Sequence, residues 1–132
     1  LAGGGSLLTL HQGIMCGNDY EMDLVHGAAF RQQQPLTLLD YRIADRQHAI
    51  TSNIDDFTIE EEPYLFDFDP FINSTILLEY SYANTTYPAM WVKSYLGGKV
   101  AYMSVGHNAD SFKNKSIRKI IRRTGLWACD RL

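Results

Sequence analysis

Two short apolar runs near opposite ends of the chain constrain its fold most: Ser6 to Leu10, and Val100 to Val105. Each follows a glycine turn, Gly3-Gly4-Gly5 or Gly97-Gly98, and each reads as a strand. Each also runs into a histidine, His11 in Leu10-His11-Gln12-Gly13 and His107 in Val105-Gly106-His107. In an open α/β sheet, ligands bind beyond the carboxyl ends of the strands. The two histidines are therefore expected close together at one sheet edge.

Between these runs the pattern alternates between strand and helix. Residues 19 to 30 read as a helix, with Met22, Val25, His26 and Ala29 on one face at spacings of three and four. Pro35 ends that unit, and Leu36 to Ile43 read as a strand rich in branched and aromatic residues. Asp45 to Ser52 is a polar connection. Phe57 to Glu61 alternates apolar and acidic residues, as a half-buried strand does, and Asp67, Asp69 and Pro70 then break the chain. Thr75 to Tyr82 and Ala89 to Val92 are further strands, separated by the turn-forming Asn84-Thr85-Thr86. A helix from Ser116 to Cys129 closes the chain. Ile117, Ile120, Ile121, Thr124, Trp127 and Ala128 form its buried stripe, and Arg118, Lys119, Arg122 and Arg123 its wet face. Strands mixed with two helices predict an α/β domain with a partly parallel sheet.

The 132 residues suffice for one domain with one core. With 45% hydrophobic and 20% charged residues, the chain reads as soluble and globular. A net charge of -3 favours neither nucleic acid nor an anionic membrane as partner. No apolar stretch approaches the roughly 20 residues that span a bilayer. The chain begins at Leu1, already inside a turn-and-strand motif, so an N-terminal part is expected to be missing. Cys16 and Cys129 do not make a disulfide framework; they could pair, but read better as buried free thiols. Cys16 has no basic neighbour in sequence to activate it, so it is not expected to be a nucleophile.

Leu10-His11-Gln12-Gly13 has the strand–turn–helix layout of a nucleophile elbow, but presents an imidazole in place of a hydroxyl or thiol. An imidazole there can act as general base, hydrogen-bond donor or metal ligand. His107 follows Gly106, a residue that permits close approach of a ligand. Asp110 could orient the His107 ring or cap the final helix. Of Glu60, Glu61 and Glu62, at least two read as solvated charges. His26 and His48 read as packing and structural residues. Two histidines and a carboxylate can bind a divalent metal such as zinc, although no His-x-x-x-His spacing points to one.

The motifs GGGSLLTLHQG, LVHGAAF, DRQHAITSNIDDFTIEEEPY and YPAMWVKSYLGGKVAYMSVGHNADSF, followed by a helix ending in LWAC, occur in that order. Together they resemble the ThuA-like family, named for trehalose utilisation, nearly end to end. The resemblance implies a flavodoxin-like open sheet related to class I glutamine amidotransferases. His11 then stands where those relatives carry the elbow cysteine, and His107 matches their late histidine. Without that cysteine, glutamine hydrolysis is not expected. Where family members usually carry His-Pro and His-Pro-Ile, this chain has Gln34-Pro35 and His48-Ala49-Ile50.

The resemblance further implies a role in catabolism of a disaccharide or keto-sugar, as a hydrolase or lyase working by acid-base chemistry. His107 would be the acid or base, with Glu62 as its partner, since a nearby carboxylate favours the charged imidazole. His11 would polarise the substrate or bind a metal. Trp91 or Tyr64 would stack on a sugar ring, and Asp110 would contact the substrate. The expected partner is a small-molecule sugar, with a divalent metal as the candidate cofactor, a homo-oligomer as one option, and the cytoplasm as the expected compartment. The alternative reading is a non-catalytic binding or assembly module that keeps the fold without the nucleophile.

Overall fold

The computed structural model describes residues 4–15 and 20–132. The elements run β1 (Leu7–Leu10), a 3-10 turn (His11–Met15), α1 (Tyr20–His26), β2 (Ala28–Gln33), β3 (Thr37–Ile43), β4 (Phe57–Glu61), β5 (Tyr64–Phe68), β6 (Thr75–Tyr82), β7 (Thr85–Tyr95), β8 (Gly98–Met103), a second 3-10 turn (Ala109–Lys113) and α2 (Lys115–Ala128). Six strands form one open sheet in the order β1-β8-β7-β6-β3-β4, while β2 and β5 pair in a separate two-stranded sheet. The expected α/β open sheet is present. Its parallel character, among the described residues, is confined to β1 and β8, paired from Leu7 with Val100 to Leu10 with Met103. No helix among the described residues is long and apolar enough to cross a membrane.

Strand pattern and burial agree closely. In β3, Leu39, Tyr41 and Ile43 point inward while Leu38, Asp40 and Arg42 are exposed, the period of two expected of a strand with one face in the core. The central strands are covered on both faces. Met90, Val92, Ala101 and Met103 belong to a core with Leu39, Tyr41, Ile43, Ile50 and Ile54, closed by Ile117 and Ile120 of α2. Trp91 and Tyr102 alternate to the opposite face, where Phe30, Phe66 and Phe68 of the two-stranded sheet pack against them. The molecule is thus layered: α2, the six-stranded sheet, then the β2–β5 pair. Asn114 caps α2, its side chain accepting from the Ser116 and Ile117 amides.

The helix expected over residues 19 to 30 ends at His26, and Ala29 lies in β2. Gly27 is the reason: its φ of +81° is left-handed, and its amide donates to the Asp23 carbonyl at 2.8 Å. A Cβ there would stand 2.9 Å from Ser74 Oγ and 3.0 Å from Lys93 Cδ. The buried Lys93 ammonium donates to the carbonyls of Leu24 and Val25, closing the helix end. Trp91 Nε1 donates to the His26 carbonyl at 2.7 Å, tying this corner to the sheet.

The acidic run differs most from its sequence reading. Glu61 is fully buried, and Glu62 is nearly so, so the solvated description holds for Glu60 alone. In β4, Phe57, Ile59 and Glu61 share the inward side, so strand alternation carries the Glu61 carboxylate inside. There it accepts from the Gly106 amide at 2.9 Å, the His107 amide at 3.2 Å and the Ser111 hydroxyl. β4 is an edge strand far from β8 in the sheet order, so these bonds fasten one end of the sheet to the loop leaving its other side.

Removing that acceptor strands the Gly106, His107 and Glu62 amides and the Ser111 hydroxyl. Glu61→Ala should lower unfolding free energy by about 3 kcal/mol, because each buried donor left unpaired costs about 1–3 kcal/mol. Chemical denaturation measures this, and a loss below about 1 kcal/mol would contradict the assigned role.

His26 supplies a pH dependence. It is buried, with Nδ1–H donating to the Met22 carbonyl and Nε2 accepting from the Thr9 hydroxyl at 2.9 Å. Desolvation lowers its pKa below 6.5, helped by Lys93 and opposed by the Met22 carbonyl and Asp23. Below pH 6.5 the unfolded chain therefore binds more protons here than the folded chain. Its stability contribution is complete above about pH 6.5 and is lost as pH falls toward the folded-state value. The stability drop between pH 7.5 and 5 should be smaller in His26→Gln, and an equal drop would refute the assignment.

Candidate functional site

Three strand ends meet at one edge of the sheet. The parallel pairing of β1 and β8 ends at Leu10 opposite Met103, and His11 and Ser104 are the next residues after the two strands. His11 Nδ1 donates to the Ser104 carbonyl at 2.8 Å, and the buried Tyr102 hydroxyl donates to the His11 carbonyl at 2.8 Å. The His11 backbone is left-handed, with φ of +47°. For a residue with a Cβ this conformation costs about 1–2 kcal/mol. The elbow expected from Leu10-His11-Gln12-Gly13 is therefore real, and it presents the imidazole at the strand end.

Gly106 makes room for the second histidine. Its φ is +134°, and a Cβ there would lie 3.1 Å from Phe112 and 3.4 Å from His11 Cβ. His107 follows, its amide held by Glu61. The two imidazoles lie 5.7 Å apart between centroids, edge to face. The expectation that they meet at one sheet edge is met.

Glu62, just beyond β4, stands between them. Its Oε1 is 2.8 Å from His107 Nδ1 and 3.1 Å from His11 Nε2. Its Oε2 accepts from Gln33 Nε2 at 3.1 Å. The side chains are 9% exposed for His11, 12% for Glu62 and 36% for His107, so His107 is the member a solute can reach. Because the Ser104 carbonyl can only accept, His11 donates to it from Nδ1, which turns Nε2 toward the site. Tyr64 stacks on His11 at 4.5 Å and places its hydroxyl 3.1 Å from Nε2. Burial pushes the Tyr64 pKa to about 12, reinforced by the charges of Glu62 and Glu61 and offset by a hydrogen bond from Gln12. Tyr64 thus remains a donor through the neutral range.

The other expected site residues sit elsewhere. Trp91 is fully buried between the layers, with its Nε1 committed to the His26 carbonyl, so it presents no face to a sugar. Tyr64 belongs to the site but is itself fully buried beneath His11, which excludes ring stacking on it. Asp110 is exposed in the second 3-10 turn, where it pairs with Lys113 at 2.9 Å. Neither histidine pairs with it, and Asn114 caps α2 in its place. His48 accepts from the Ile50 amide in its own loop, and His26 packs in the core, as expected of both. Cys16 lies outside the described residues, and Cys129 is a free thiol but an exposed one, not buried as expected.

Sequence reasoning passed over Glu61, Gln33 and the Ser104 carbonyl. Glu61 was signalled by the alternation of β4. Gln33 reaches Glu62 only because β2 pairs with β5, from Gln33 opposite Tyr64 to Ala28 opposite Phe68, and nothing local announces that pairing.

Comparison with known proteins places this architecture. A ThuA-like protein from Bacteroides uniformis superposes with a TM-score of 0.80 at 16% identity, covering 97% of this chain and 60% of that one. A ThuA-like protein from Parabacteroides merdae gives 0.80 at 10% identity, covering 96% and 61%. A cytoplasmic protein from Salmonella typhimurium gives 0.72 at 14% identity, covering 96% and 56%. The chain thus spans about 60% of the length of these three solved structures. No curated protein matches it. The family model described as trehalose utilisation matches residues 1–128. The chain belongs to the ThuA family.

Proposed function

We propose that the His11–Glu62–His107 cluster is the acid-base site of a carbohydrate-processing protein that acts on a disaccharide or keto-sugar. The observation that carries this reading is the Glu62 Oε1 atom, within hydrogen-bond reach of both imidazoles. The family's description as trehalose utilisation supports a sugar as the substrate class.

With Nδ1–H of His107 donating to Glu62, the other ring nitrogen holds a lone pair. That nitrogen takes a proton from a sugar hydroxyl, and Glu62 offsets the charge the ring gains. The same ring returns the proton to the departing oxygen or to the rearranged carbon. His11 and Tyr64 form a fixed floor beneath Glu62. Glu61 holds the His107 backbone in place, so the exposed ring does not have to be ordered at each turnover.

The test is turnover of trehalose and of keto-disaccharides by the full-length protein, followed by product analysis. His107→Ala should lower the rate by about 10²–10⁴, the usual span for losing acid-base catalysis. Glu62→Gln should lower it at least tenfold. Both variants should melt within a few degrees of the parent protein, since neither side chain fills the core. Unchanged turnover in both variants would overturn the reading. Sugar binding without turnover in the parent protein would replace it with a binding module.

A further inference from the structure

We propose that His11 Nε2, His107 Nδ1 and Glu62 form a binding site for one divalent transition-metal ion such as zinc or manganese. The inference rests on the reading of this cluster as the sugar site and adds the group that would bind and activate oxygen there.

The first argument is the convergence of possible ligand atoms. His11 Nδ1 is committed to the Ser104 carbonyl, which turns Nε2 toward the site. That nitrogen lies 3.1 Å from Glu62 Oε1, and His107 Nδ1 lies 2.8 Å from the same oxygen. Two ring nitrogens and a carboxylate thus face one point, the donor set that a transition-metal ion takes.

The second argument is charge. Glu61 and Glu62 are adjacent, and both are largely or fully buried. Among the described residues no lysine or arginine pairs with either of them. The polar partners of Glu62 are two imidazoles and the Gln33 amide, with the Tyr64 hydroxyl on His11 beyond them. The site therefore combines buried carboxylates with ring nitrogens, a donor set that suits a small dication.

The third argument is geometry. One donor atom from each of the three residues lies within 4.8 Å of the other two. Ligands bound at about 2.0–2.2 Å to a common ion stand at most about 4.4 Å apart, so a small inward movement of the half-exposed His107 completes the set. Two imidazoles and one carboxylate leave coordination positions open for water or a substrate oxygen. The outer partners are already in place: His11 donates its remaining N–H to a backbone carbonyl, and Gln33 holds the second oxygen of Glu62. The two rings and Glu62 would hold the ion, which would supply a bound water of lowered pKa for proton transfer.

The experiment titrates zinc and manganese separately into chelator-treated protein by calorimetry, with cobalt absorption in the visible range as a readout of ligand geometry. One ion per chain at micromolar or tighter Kd is expected. His11→Ala, His107→Ala and Glu62→Gln should each weaken binding at least a hundredfold and abolish the cobalt bands. Gln33→Ala should weaken binding about tenfold, the lower end for losing an outer-shell partner. Melting temperatures without metal verify that each variant is folded, and Gln33→Ala, at an exposed position, keeps the test valid should His11→Ala fail to fold. Absence of stoichiometric binding at millimolar ion, or binding retained in the ligand variants, would overturn the site. Stoichiometric binding without any sugar turnover keeps the metal site and removes the sugar reading. Turnover by ion-free protein that binds no metal keeps the sugar reading and removes the metal site.

Discussion

The buried carboxylate of Glu61 is the constraint on which the rest of this structure depends. It lies at the end of an edge strand, yet its acceptor oxygens are filled by donors from the loop after β8 and from the second 3-10 turn. A charged group taken out of water is tolerated only when its lone pairs are satisfied. Satisfying them draws two distant parts of the sheet together. That closure also sets the direction of Glu62, the next residue, and the backbone of His107.

The candidate site is therefore a product of three chain ends, none of which could build it alone. β1 delivers His11 on a left-handed residue held by Tyr102. β8 delivers His107 past a glycine that has no room for a side chain. β4 delivers Glu62. Strain at His11 persists because the Ser104 carbonyl, the Tyr102 hydroxyl and the Tyr64 ring over-determine its position.

Much of the framework was legible along the chain. β3, β4, β6 and the final helix fall within a residue or two of the positions their periodicity indicates. The two strand-end histidines announced where a site would form. Errors arose where one neighbour outweighed a pattern: Gly27, with its left-handed backbone, cuts a helical-looking run into a helix and a strand. Tyr64–Phe68 escaped notice because its strand character comes from pairing with β2. The run Glu60-Glu61-Glu62 looks uniform in composition, but alternation and the end of the strand give the three carboxylates three environments.

What the sequence by itself determined is local: which segments are extended, which face of α2 is apolar, and that two imidazoles stand at strand ends. Backbone preferences and hydrophobic periodicity are set by residues a few positions apart, so they can be read directly from the chain. What only the tertiary structure decided is which side chains meet. Trp91 became a core residue and not a sugar platform, Tyr64 became the floor beneath His11, and Gln33 became a partner of Glu62. Each outcome follows from register between strands far apart in sequence, and a shift of one residue would turn each of these side chains to the opposite face.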